Sequence, residues 1–325
     1  MRNRKPNSPE GDYLDKLDFL FCVYREKLPG NGEDAFVYSA NVRSVLVGVF
    51  DGCGGAGAKR YPRLQNKTGA YTASRITAGA VMEWFSLLPE GLPEAPEEAV
   101  GALIRQHLER CHRQVGEESR LVSPLVRTFP TTAAFAVCTG EAGRNRVDFF
   151  WAGDSRVYLL DEDGLAQLST DDLSVPDAME NLYNDGVLTN VISLSKAYTI
   201  HHGAAILDKP GIVFAATDGC FGYVSTPMEF EGMLLSALAD SGSVREWEER
   251  LTEIIGTVAG DDYTLSAAVL GFGGFEKMRA ALSQRQRFLE REYLADIGSL
   301  SREEKTALWS RYRDSYSRFQ APLPD

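Results

Sequence analysis

Eight short apolar segments constrain this chain most. Asp18–Tyr24, Ala35–Ser39, Val45–Phe50, Ala133–Cys138, Val147–Trp151, Val157–Leu160, Ile212–Ala216 and Thr264–Leu270 are each of strand length, and each is bounded by Gly, Asp, Asn or Pro. Several are only a few residues apart, as in FFWAGDSRVYLLDEDGLAQLS. A link that short closes an antiparallel pair, whereas a parallel crossover needs a dozen residues or more. Helical patterns interrupt the strands at Thr68–Leu88 and Glu97–Glu118, joined by the Pro-rich PEGLPEAPE, and at Pro227–Ala239 and Val244–Val258. Strands and helices in blocks, without strict alternation, predict an α+β layered fold. The 325 residues, 44% of them apolar, supply ample material for its core.

Three regions stand apart from the strands. Residues 1–12 are polar and read as a disordered leader ahead of a domain spanning 13–274. Asp171–Tyr198 has weak periodicity and predicts an irregular flap over one end of the sheets. From Phe275 onward, Phe275, Met278, Leu282, Leu289 and Tyr293 recur at helical spacing. Ser301 and Glu304 then form a capping box ahead of Leu308, Trp309, Tyr312, Tyr316 and Phe319. This predicts a two-helix appendage over 275–325. Its amphipathic faces suit packing on the domain's own helices, and they also offer a surface for a partner or for self-association.

The charge balance narrows the chemistry. The formal net charge is −12. The appendage has ten Lys and Arg against eight Asp and Glu, a net of +2, which leaves −14 on residues 1–274. Such a surface argues against nucleic acid as a partner and favours hard cations. The four histidines, His107, His112, His201 and His202, fall in no zinc motif. Five widely spaced cysteines without a CxxC pair predict free thiols and a reducing, cytoplasmic setting. No apolar run reaches the roughly 18 residues of a membrane span.

Acids recur at the strand ends. VLVGVF runs into Asp51-Gly52, FFWAG into Asp154-Ser155 and IVFAAT into Asp218-Gly219; Asp261-Asp262 precede YTLSAAVLG, and Glu33-Asp34 precede AFVYSA. A single Asp-Gly after a strand is a turn signal. Five acidic sites at the ends of strands that neighbour one another predict a carboxylate cluster, which repels itself unless a cation neutralises it. Oxygen-only ligation selects Mg²⁺ or Mn²⁺, and a pair of such ions activates water for in-line attack on phosphorus.

GEDAFVYS, VLVGVFDGCGG, FPTTAAFAV, FFWAGDSRVYLL, IVFAATDGCFGYVS and GDDYTLSAAVLG occur in the order of motifs found in the metal-dependent protein phosphatases. Over residues 18–272 the chain resembles the protein phosphatase 2C-like members of that family, the bacterial type in particular. The resemblance implies a four-layer α-β-β-α sandwich of two antiparallel sheets flanked by helix pairs. It also implies a binuclear Mg²⁺/Mn²⁺ centre with a weaker third site, and a phosphoserine or phosphothreonine on another protein as substrate. Asp51 would bridge two ions and Gly52 lend its carbonyl; Asp218 and Asp261 would complete one site. Glu33 and Asp34 would hold metal-bound waters, and Asp154 with Asp218 would form the third site.

The chain departs from the family at three places. Cys53 stands where eukaryotic members have a histidine that protonates the leaving group. Pro29 replaces the phosphate-binding arginine, leaving Arg25, Lys27, Lys59 and Arg60 as candidate cations. Gly222 replaces a further aspartate of the third site. The last two departures favour an alternative, a catalytically weak phosphatase-like scaffold acting through its C-terminal helices; the retained Asp51, Asp218 and Asp261 oppose it. Gly52–Gly57 also satisfies G-x-G-x-x-G after a strand, but Lys59-Arg60-Tyr61-Pro62 follows where a dinucleotide site needs a continuing helix.

Overall fold

The computed structural model describes residues 16–88, 91–116, 127–141, 144–175, 177–184 and 186–320. The leader expected over 1–12 lies outside them, as do residues 117 and 118 of the second expected helix. In chain order the elements are β1 (Leu17–Arg25), β2 (Ala35–Ala40), β3 (Ser44–Phe50), α1 (Gly54–Gly57), β4 (Arg60–Tyr61), β5 (Lys67–Thr68), α2 (Gly69–Ser86) and α3 (Pro96–Val115). There follow β6 (Ala133–Glu141), β7 (Arg144–Ala152), β8 (Arg156–Asp161), β9 (Gly164–Gln167), β10 (His201–Leu207), β11 (Gly211–Ala216) and α4 (Asp218–Phe221). The chain continues with α5 (Pro227–Ala239), α6 (Val244–Gly256), β12 (Tyr263–Leu270), α7 (Phe275–Leu289) and α8 (Arg302–Tyr316).

Two five-stranded sheets carry the fold, in the orders β1-β12-β11-β8-β9 and β10-β7-β6-β3-β2. Every pairing in them is antiparallel. Strand alternation sorts the side chains into three layers. Val45, Val47, Val49, Val213, Ala215 and Ala268 fill the space between the sheets. From the same strands, Leu46 and Phe50 face α2 and α3 on one side. Ile212, Phe214, Leu265 and Ala267 face α5 and α6 on the other. The α+β reading thus resolves into a four-layer sandwich.

Local signals explain where the helices begin. Thr68 caps α2 by accepting from the Tyr71 amide at 3.0 Å, and Thr226 and Ser243 cap α5 and α6 in the same way. The capping box at Ser301 and Glu304 opens α8. Gly116, at φ 65°, ends α3.

The C-terminal helices lie on the outer face of the β1-containing sheet. Met278, Leu282, Leu289, Trp309, Tyr312 and Tyr316 belong to the same buried cluster as α5 and α6. Two buried ion pairs fasten them. Arg285 of α7 grips Glu231 of α5 at 2.7 and 2.8 Å, and the Tyr312 hydroxyl donates to the same carboxylate at 2.5 Å. Arg156, at the start of β8, bonds Asp171 at 2.6 Å and also the Tyr158 and Tyr316 hydroxyls. Breaking one buried pair costs about 3–5 kcal/mol, because the remaining charge is left without a partner.

Candidate active site

Strand register brings the acids together. Ala35 pairs with Phe50, so Asp34 and Asp51 sit side by side just beyond the open end of the β2–β3 hairpin. Ala216 pairs with both Leu265 and Arg156, which places Asp218, the Asp261-Asp262 turn and Asp154 at the corresponding ends of β11, β12 and β8. β3 lies across β11 and β12, so these ends converge on one cleft.

Asp34 is 2% exposed; Asp51, Asp154 and Asp218 are half-buried. Thr217 and Thr264 each donate a hydroxyl to Asp34 Oδ2, at 2.9 and 2.7 Å. The Asp34 carboxyl bears directly on that of Asp51. Burial first, and then the neighbouring carboxylates, push all four acids above the ordinary aspartate range. Asp34 is raised to about 7 and Asp154 to about 8.

One Asp154 oxygen is buried without a hydrogen-bond partner. An all-oxygen donor set, mutual repulsion and an orphaned oxygen fit a hard divalent cation. Among the described residues no group of three or more His, Cys, Asp or Glu side chains stands in ligating geometry. The fit is therefore one of donor chemistry and charge, not of a preformed cage.

The remaining acids sit around this set. Glu33 is half-buried and raised by burial, ahead of the charges of Asp262 and Asp261; Thr68 donates to it and opposes the shift. Asp261 is exposed at the rim and bears on Asp218. Asp262 holds the backbone in place. Its carboxylate accepts from the Lys27 amide at 2.8 Å and the Glu33 amide at 2.7 Å, tying the loop of residues 26–33 to the foot of β12.

Both Asp-Gly pairs hold glycine for closeness, not for handedness, since neither Gly52 nor Gly219 has a positive φ. A Cβ on Gly52 would stand 2.6 Å from the Ala70 carbonyl oxygen, and one on Gly219 would stand 1.9 Å from that of Asp262. The Asp51 carbonyl accepts from the Thr132 amide at 2.8 Å and the Thr131 hydroxyl at 2.7 Å. Its loop is thereby locked to the strand that follows Phe129. Phe129 itself is buried at φ 54°, a strained conformation for an aromatic residue, and packs against Tyr61.

The nominated cations take different places. Arg60 bears on Glu33 and donates to the Asn66 carbonyl at 3.0 Å. Lys59 lies 5.1 Å over the Tyr61 ring, and Arg25 is exposed opposite Tyr263 at the end of β1. Lys27 donates to the Gly260 carbonyl. Sequence reasoning missed two arginines. Arg75 of α2 holds the acidic loop from beneath, donating to the Gly32 carbonyl at 3.1 Å. Arg127, whose amide bonds the Ala56 carbonyl at 3.0 Å, is the cation that bears on Cys53. The Cys53 thiol is pushed well up by burial and then by Asp51 and Asp154, so it stays protonated.

No protein-family model and no curated protein matches the chain. Solved structures do. The PstP/Ppp serine/threonine phosphatase of Mycobacterium tuberculosis superposes with a TM-score of 0.55 at 20% identity, over 78% of this chain and 99% of that one. Stp1 of Staphylococcus aureus gives 0.58 at 15%, over 82% and 99%. The catalytic domain of PstP in complex with two manganese ions gives 0.52 at 18%, over 78% and 99%. The fold is the one these bacterial serine/threonine phosphatases share. Within that phosphatase fold, the convergent acids occupy strand ends that face one cleft.

Proposed function

We propose that this chain is a metal-dependent protein phosphatase that hydrolyses phosphoserine or phosphothreonine on another protein, with a role in signalling. One observation carries the reading: four mutually repelling aspartates, Asp34, Asp51, Asp154 and Asp218, converge at one end of both sheets in a phosphatase fold. Asp51, with the Gly52 carbonyl beside it, would hold the Mg²⁺ or Mn²⁺ ions. Asp218 and Asp261 would complete one site, Glu33 and Asp34 would hold metal-bound waters, and Asp154 with Asp218 would form a weaker third site. Such ions, when bound, lower the pKa of water and offset charge on phosphoryl oxygens.

The chain's own groups position the reaction. Arg127 supplies positive charge beside Cys53, at the place where a phosphate must lie against the Asp51 loop. Thr217 and Thr264 fix the Asp34 carboxyl, and Asp262 fixes the Glu33 backbone. Cys53 keeps its proton close to the cluster, where a leaving alkoxide needs one. All five cysteines are free thiols, which supports a cytoplasmic setting.

Turnover of p-nitrophenyl phosphate with and without Mn²⁺ tests the assignment. Activity should require the metal and fall at least a hundredfold in Asp218→Asn. Absence of turnover at every Mn²⁺ and Mg²⁺ concentration would replace the enzyme with a binding module of the same fold.

A further inference from the structure

A cavity of about 460 Å³ lies between α5, α6 and the end of α7. Met233, Ile254, Val258, Leu289, Leu294 and Ile297 make it mostly apolar, with Glu229 and Glu290 at its polar edge. Its size suits one large side chain with room for the backbone that carries it. Leu289 is fully buried, while Val258 and Tyr223 are 40% and 45% exposed at the opening.

The chain leads from the acidic cleft to the walls of this cavity on both sides. Tyr223, Val224 and Ser225 line it, and they follow α4, which begins at Asp218. On the other wall, Val258 precedes Asp261 by three residues, a span of at most about 11 Å. The Tyr223 ring closes the gap between them. It lies against Gly260, where a Cβ would stand 2.3 Å from Cε1. Tyr223 also feels the charges of Asp218, Asp261 and Asp51. Cleft and cavity thus share one wall.

We propose that this cavity is a recognition subsite for the phosphoprotein substrate, taking a large aliphatic or aromatic side chain about three positions from the phosphorylated residue. The proposal rests on the phosphatase reading. An extended peptide advances roughly 3.3 Å per residue, so a phosphate held at the acids brings the third neighbour to the opening beside Val258. The two walls that grow from the Asp218 and Asp261 loops set an upper limit to this distance. The segment after α7, through Leu294 and Ile297, closes the far side and gives the C-terminal region a part in substrate choice.

The test uses the full chain with Mn²⁺ and a phosphoserine peptide series in which one Leu is moved from four residues before to four after the phosphate, in a Ser/Ala background. Leu at about three residues on one side should raise kcat/KM at least tenfold, the range for one apolar side chain entering a pocket. Val258→Glu at the opening, or Met233→Trp in the wall, should abolish that preference, measured as the ratio of peptide to p-nitrophenyl phosphate turnover. Two variants are used so that a folding defect in one, seen in its melting curve, does not decide the matter. A flat Leu profile, or a preference that survives both folded variants, overturns the proposal. So does a wild-type dimer that Val258→Glu dissociates, because a second copy would then fill the cavity. Wild-type protein inert towards p-nitrophenyl phosphate would overturn the phosphatase reading, and this subsite with it; a flat profile on an active enzyme overturns the subsite alone.

Discussion

Two threonine hydroxyls do not offset what burial costs the Asp34 carboxylate, which still titrates at about 7, and Asp154 at about 8. A carboxyl whose folded pKa exceeds its unfolded one binds more protons in the folded state. These two carboxyls therefore contribute stability to the metal-free protein that is full near pH 4 and is lost as pH rises towards 8. Thermal melts in chelator should show that decline, Asp34→Asn should flatten it, and added Mn²⁺ should reverse it at the alkaline end. Arg127→Ala should raise KM for p-nitrophenyl phosphate about tenfold or more without a matching loss of melting temperature, since a charge-assisted hydrogen bond is worth about 1.5–3 kcal/mol. The acids themselves are legible in the sequence because each stands just before or just after a strand. Arg127 is not, because its place depends on the bond from its amide to Ala56, far away in sequence. The need for Gly52 and Gly219 is hidden for the same reason: the groups they make room for belong to α2 and to the foot of β12.

The appended helices show what periodicity can and cannot tell. Their apolar stripes and the Ser301 capping box are readable in the sequence. Their partners, Glu231, Arg156 and the outer face of a sheet, are not. Deleting 301–320 would remove Trp309, Tyr312 and Tyr316 from the core and strip hydroxyls from Glu231 and Arg156. Loss of one large buried aromatic costs about 3–5 kcal/mol, so three together match or exceed the roughly 5–15 kcal/mol that holds a domain folded. The truncated chain should lack a cooperative melt, whereas Tyr316→Phe should cost about 1 kcal/mol in denaturant titration. Strand β10 is hard to read for a different reason. HHGAAIL is an edge strand of which Ala205 and Leu207 are the buried members, so its apolar signal is thin.

Short links make antiparallel pairing legible over most of the molecule, and eight of the twelve strands among the described residues correspond to the apolar segments. Which strand neighbours which stays hidden wherever pairing spans long stretches of sequence. The clearest case is β1, which ends at Arg25 and whose partner β12 begins only at Tyr263. That pairing orders events during synthesis. All five strands of the β3-containing sheet have been synthesised once Leu207 is added, but β1, made before them, has no sheet neighbour until residues 263–270 emerge. Asp34 and Asp51 are therefore anchored early, and Asp218 and Asp261 can join them only when β11 and β12 close the second sheet. A nascent chain carries half of its acidic cleft for most of translation, and the site becomes whole in the same late step that finally covers β1.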